Sequence, residues 1–123
     1  MENTQTTDRT ETHDTISSEK VDGTAVYGRD GDQIGSVHHL MIGKRDGQVR
    51  HAVVSYGGFL GMGEDYFPLP WSELTYDERR GGYIVDRDIA QLKDGPRYQR
   101  DREPSWDRSY DDQLTSYYGV RLM

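Results

Sequence analysis

The sequence predicts an all-β fold, a small β-barrel of about six short strands with one short C-terminal helix, set between two polar tails. Three observations carry this expectation. Short apolar runs alternate with turns rich in Asp, Gly and Pro, the pattern of a small barrel or sandwich. Of the 22 Ile, Leu, Val and Phe residues, 19 lie between Ile16 and Tyr98, which confines the burial to one domain. The stretch Gly57 to Trp71, GGFLGMGEDYFPLPW, concentrates glycines and prolines where a strand has to change direction.

The elements follow in order. Residues 1–15 are Thr, Asp, Glu, Asn and Gln for the most part, cannot bury enough surface to offset the entropy of ordering, and are expected to form a disordered tail. Thr24 to Tyr27 and Ile34 to Ile42 read as a first hairpin around Arg29-Asp30-Gly31-Asp32. Asp46-Gly47 between two apolar runs is the strongest hairpin signal in the chain, with Val49 to Tyr56 returning. Tyr66 to Leu69 reads as a strand at an edge or a barrel corner, because Pro68 and Pro70 remove ladder donors. Leu74-Thr75-Tyr76 and Tyr83-Ile84-Val85 complete the set around a polar turn ending at Gly82. Asp86 or Asp88 caps a short helix over Ile89, Ala90 and Leu92. Gln91 is placed as in a capping box, Gly95-Pro96 stops the helix, and Ile89 and Leu92 plug the open end of the barrel.

The domain is therefore expected over residues 16–98. Residues 99–123 form a charged tail that nevertheless carries Trp106, Tyr110, Tyr117 and Tyr118, aromatic anchors suited to docking on the same barrel or on a neighbour.

Composition removes several function classes. A formal charge of −7 argues against a general nucleic-acid binder, and the arginines at 79–80, 97, 100 and 102 are interleaved with acidic residues rather than forming a basic track. With no cysteine there is no disulfide, thiolate ligand or cysteine nucleophile. The chain opens without a secretory signal and has no apolar run long enough to span a bilayer, so a cytoplasmic location is expected.

The glycine-rich run does not fit a phosphate loop. Its spacing matches neither dinucleotide nor Walker patterns, Glu64 and Asp65 follow where Lys and Ser or Thr are needed, and a strand follows where a helix should start. Its glycines are expected to supply positive φ in a wide turn whose tip, Phe59, Leu60 and Met62, either folds onto the barrel or forms a contact patch. His38 and His39 are strand neighbours expected to face opposite sides and so not to share an ion. Whether His39 lies diagonally across from His51 depends on the turn length. The acidic pairs match no calcium loop, and Asp30-Gly31-Asp32 reads as a turn. No metal site, cofactor or catalytic constellation emerges, and the expectation is a protein that is not an enzyme.

The line TAVYGRDGDQIGSVHHLMIGKRDGQVRHAVVSYGGFLGMGEDYFPLPWSELTYDERRGGYIVD closely resembles the PRC-barrel family, small β-barrels named after the photosynthetic reaction centre H subunit. The Lys-Arg-Asp-Gly turn, GGFLGMGEDYFPLPW and GGYIVD carry the likeness, which runs from about Ser17 to Tyr98 and looks like the stand-alone bacterial branch. In relatives this barrel is the cytoplasmic domain of the H subunit and a domain of a ribosome maturation factor, uses that rest on partner contact rather than catalysis by the barrel. The resemblance thus implies a non-catalytic scaffolding module. The first expectation is a self-associating homodimer in which Phe59, Leu60, Met62, Trp71, Trp106, Tyr110, Tyr117 and Tyr118 form the contacts. The alternatives are a peripheral accessory protein of a photosynthetic or electron-transfer membrane complex and a ribosome-associated factor.

Overall fold

The Asp46-Gly47 turn closes a hairpin as its chemistry requires. Gly47 adopts φ 72°, Asp46 accepts the Gln48 N–H through its carboxylate at 3.0 Å, and the Gly43 N–H donates to the Gln48 carbonyl at 2.8 Å. The structure is a computed structural model that describes residues 14–57 and 65–119. The polar segment before Asp14 and the glycine-loop tip, with Phe59, Leu60 and Met62, lie outside those residues.

In chain order the elements are α1 (Ser18–Val21), β1 (Ala25–Tyr27), β2 (Gln33–Ile42), β3 (Val49–Tyr56), β4 (Asp65–Pro70), a 3-10 turn at Trp71–Glu73, β5 (Leu74–Asp77), β6 (Gly82–Val85), α2 (Ile89–Lys93), β7 (Tyr98–Gln99), a 3-10 turn at Arg100–Arg102, and α3 (Arg108–Tyr118). Both expected hairpins form, β1–β2 and β2–β3, and β5 pairs antiparallel with β6 around the polar turn. The seven strands make one sheet in the order β5-β6-β1-β2-β3-β4-β7, with β1 and β6 parallel through Val26 opposite Tyr83.

Two expectations need correction. The described strands number seven rather than six, and the sheet does not close into a complete barrel, since β5 and β7 remain its two edges. Closure fails for a covalent reason. β4 pairs with β3 along its full length, but on its other side β7 reaches only Asp65 and Tyr66, and beyond them Pro68 and Pro70 have no N–H to offer a further strand. The prolines therefore lie on a strand that is inside the sheet order yet edge-like along most of its outer side.

The curled sheet still encloses one core. Val37, Val54 and Phe67 stand abreast on β2, β3 and β4. With Val26, Leu69, Tyr83 and Val85 they form the inner layer, closed by Val21 of α1, Leu92 of α2, and Leu114 and Tyr118 of α3. The expected capping box is present. The Asp88 carboxylate accepts the Gln91 N–H and the Gln91 side chain accepts the Asp88 N–H, each at 2.9 Å. That start fixes where Leu92 enters the core, while Ile89 packs at its margin.

Three helices are described, where one was expected. In α3, Asp107 caps the N-terminus and Gly119, at φ 69°, ends the helix in the left-handed conformation. Tyr110, Leu114 and Tyr118 recur every fourth residue and place one stripe against the barrel. The surrounding charges hide that stripe in the sequence, but the spacing and both caps were there to be read.

Candidate functional site

The outer face of β2, β3 and β4 is the most unusual surface of the protein. Here His51, Val53, Tyr66, Pro68 and Pro70 project away from the core, yet all are buried. The chain from Tyr98 to α3 covers them. Arg97 pairs with Asp65 at 3.0 Å and Arg100 donates to the Tyr66 hydroxyl at 3.2 Å, which lays the segment across β4. Tyr98 packs on Tyr66, with ring centroids 5.3 Å apart. Trp106 stacks on His51 at 5.3 Å and meets Tyr110 edge-on at 5.4 Å. The Trp106 indole N–H donates to Glu103 at 2.6 Å.

Histidine placement here departs from simple alternation. β2 is opposed to β3 as Val37 to Val54 and then His39 to Val53, so His38 is an extra residue in a β-bulge. The bulge undoes the expected opposition of neighbours, and the Nδ1 atoms of His38 and His39 come within 2.7 Å. The open question about His39 is also answered. Met41 lies opposite His51, so His39 is diagonal to it on the same face. Among the described residues no group of three or more His, Asp or Glu side chains is arranged to hold a metal ion.

Burial dominates the electrostatics of this cluster. It pulls His51 down to about 4, helped by His39 and Arg50, and it lowers His39 too, with His38 adding to the effect while Glu103 and Asp22 oppose it. The Tyr110 hydroxyl is pushed up to about 12 and Tyr118 is raised further, again chiefly by burial. Both ring nitrogens of His51 and the hydroxyls of Tyr110 and Tyr118 are buried without a hydrogen-bond partner among the described residues.

A second surface lies at the opposite edge of the sheet. Beside the edge strand β5, Trp71, Leu74, Tyr76, Tyr83 and Ile16 line a groove of about 440 Å³. Trp71 meets Tyr83 edge-on at 5.5 Å, and Ile16 is 42% exposed.

The candidate contact residues read from the sequence thus separate. Trp71 lines the β5 groove. Trp106 and Tyr110 cover the outer face, and Tyr118 sits in the core with the Arg87 guanidinium over its ring at 4.9 Å. Tyr117 is partly exposed, and its hydroxyl donates to the Gln91 carbonyl. Sequence reading overlooked Arg87, which also donates to Glu73 at 2.6 Å and to the Tyr118 carbonyl at 3.3 Å and so ties α3 to the start of β5.

The family model described as PRC-barrel domain matches residues 13–92. The chain belongs to the PRC-barrel family. No curated protein matches it. The matched span covers α1 through most of α2, so this PRC-barrel carries α3 and the covering segment beyond its family core. Among the described residues, no helix of this PRC-barrel protein is long and apolar enough to cross a membrane.

Proposed function

We propose that this PRC-barrel protein is a non-catalytic interaction module that self-associates through the β5 edge. One observation carries the reading: an edge strand lies directly beside an apolar, aromatic-walled groove. An edge strand presents backbone donors and acceptors to another chain, and apolar pockets beside it hold alternate side chains. Pairing of β5 with β5 of a second copy is a two-fold contact in which each copy offers the same patch. The other sheet edge supports no such use, because β7 is two residues long and Pro68 and Pro70 interrupt the donors next to it.

Net charge makes the proposal testable in a second way. Two copies carrying −7 each repel, so added salt should tighten a contact made by backbone and apolar groups. Light scattering across a dilution series, at low and moderate salt, is the test. Dimer at micromolar protein supports the proposal. A monomer at every concentration and salt defeats it, and a contact weakened by salt would place the interface on charged groups elsewhere.

A further inference from the structure

Where the β2–β3 hairpin ends against the first turn of α3, Met41, Ile42, Arg45, Arg50, His51 and Trp106 line an open cleft of about 340 Å³. We propose that this cleft binds a small anion with a flat aromatic body, an aryl carboxylate or aryl phosphate.

Charge supplies the first argument. Lys44, Arg45 and Arg50 all reach the cleft in a chain whose net charge is −7. Asp46 offsets only part of this, holding Arg50 through one terminal nitrogen at 3.2 Å. Asp111 is the one carboxylate that lines the cleft among the described residues. An anion that enters is therefore steered to the hairpin side, toward the three cations.

Unmet hydrogen bonding marks the same cleft, independently of net charge. Among the described residues Arg50 Nε is buried without a protein partner, and so are both ring nitrogens of His51, a residue only 4% exposed. Buried polar groups are nearly always paired, and an unpaired one carries its desolvation cost without return. The Arg50 side chain is 37% exposed and Asp46 holds one of its terminal nitrogens, so an oxyanion in the cleft would make a charge-assisted bond with a guanidinium already fixed in place.

The cleft also has the shape for a flat body. Trp106 presents an aromatic wall and Met41 and Ile42 an aliphatic one, the mix of apolar lining and few polar groups usual in small-molecule sites. The backbone is built to bring the polar pair together. Met41 opposes His51 and Ile42 opposes Val49, so Arg50 is the extra residue of a second bulge and reaches the same cleft as His51.

Amide and side-chain proton–nitrogen spectra of the full chain, which has two tryptophans, provide the test. Benzoate and phenyl phosphate are titrated, with neutral benzamide and inorganic phosphate as controls. At least one aryl anion should shift the Trp106 indole and Arg50 Nε signals saturably, and more tightly than either control. Replacing the exposed pair, Lys44→Gln with Arg45→Gln, should weaken binding about tenfold, the effect of about 1.4 kcal/mol. Asp111→Asn should tighten it, a gain that damage to the fold would not produce. No saturable shift with either aryl anion, equal binding of benzamide or of inorganic phosphate, or an affinity unchanged by the charge replacements would each overturn the proposal.

Discussion

The indole of Trp106 lies stacked on the imidazole of His51, with centroids 5.3 Å apart and planes 29° from parallel. This contact puts a titratable ring under an aromatic cover supplied by a segment more than fifty residues later in the chain, and it ties stability to pH. His51 is held at about 4 in the fold against 6.5 when free. The unfolded chain therefore binds the proton first as pH falls. Stability is full above pH 6.5 and declines toward pH 4, by at most about 3 kcal/mol for this group before solvent screening. His39 shifts the same way and adds to the slope. Urea unfolding at pH 7 and pH 5 should show a loss that is markedly smaller in His51→Phe. Equal losses in both proteins would remove His51 as the cause.

Gly35 faces the backbone of β3 so closely that a Cβ there would sit 2.0 Å from the Ser55 carbonyl oxygen. No side-chain rotation relieves a backbone clash. Gly35→Ala should cost about 3 kcal/mol or more, at the upper end of overpacking. Gly47→Ala meets nothing within 4 Å but has to adopt φ 72°, at about 1–2 kcal/mol. Thermal denaturation of the two variants should reproduce that order.

Arg87 and Glu73 form a half-buried pair at 2.6 Å, their side chains 23% and 13% exposed. Glu73 and burial act on the Arg87 guanidinium in opposite directions, with the Glu73 hydrogen bond the stronger, so its pKa is raised. Removing one partner strands the other, which costs 3–5 kcal/mol for a fully buried pair and about 2 here, where water reaches both. Because Arg87 also holds the Tyr118 carbonyl, Arg87→Ala should raise hydrogen exchange in α3 ahead of the strands. Uniform exchange across the molecule would show that the pair does not pin the helix.

Leu114 is 0% exposed and belongs to the same core as Phe67 and Leu69. Leu114→Ala should destabilise the whole domain by about 2–5 kcal/mol, in a single transition seen alike by near-ultraviolet circular dichroism and by fluorescence. Loss confined to the last helix, with the sheet unchanged, would show α3 to be an appendage.

What the sequence made legible was local. Asp46-Gly47 and the Asp88 to Gln91 box act within five residues, so composition alone places the hairpin and the start of α2. The bulge at His38 was illegible because it depends on how two strands slip against each other, and with it went the meeting of His38 and His39 on the outer side of the sheet. The parallel pairing of β1 with β6 joins residues far apart in the chain and leaves no short-range trace. Trp106 was recognised as an anchor, but its seat on His51 could not be read, because nothing in a strand pattern says which outer face a later segment will cover.

Thr75 provides the sharpest test of the β5 edge. It is exposed on the strand, between Leu74 and Tyr76, which help to line the groove. A lysine on an edge strand opposes pairing with another chain, because its charge would have to be desolvated or matched. Thr75 also lines the groove, but in the folded monomer Thr75→Lys keeps the β5–β6 ladder and the aromatic walls Trp71, Tyr76 and Tyr83, so its own stability should change by no more than about 0.5 kcal/mol. If two copies join through β5, the variant should be monomeric at concentrations where the parent is dimeric. Trp71→Ala, which removes a groove wall, should weaken the dimer as well while also costing stability through the lost contact with Tyr83. The decisive comparison is therefore Thr75→Lys, read by sedimentation equilibrium. An unchanged dimer in that variant would move the interface away from the β5 edge, whatever Trp71→Ala does.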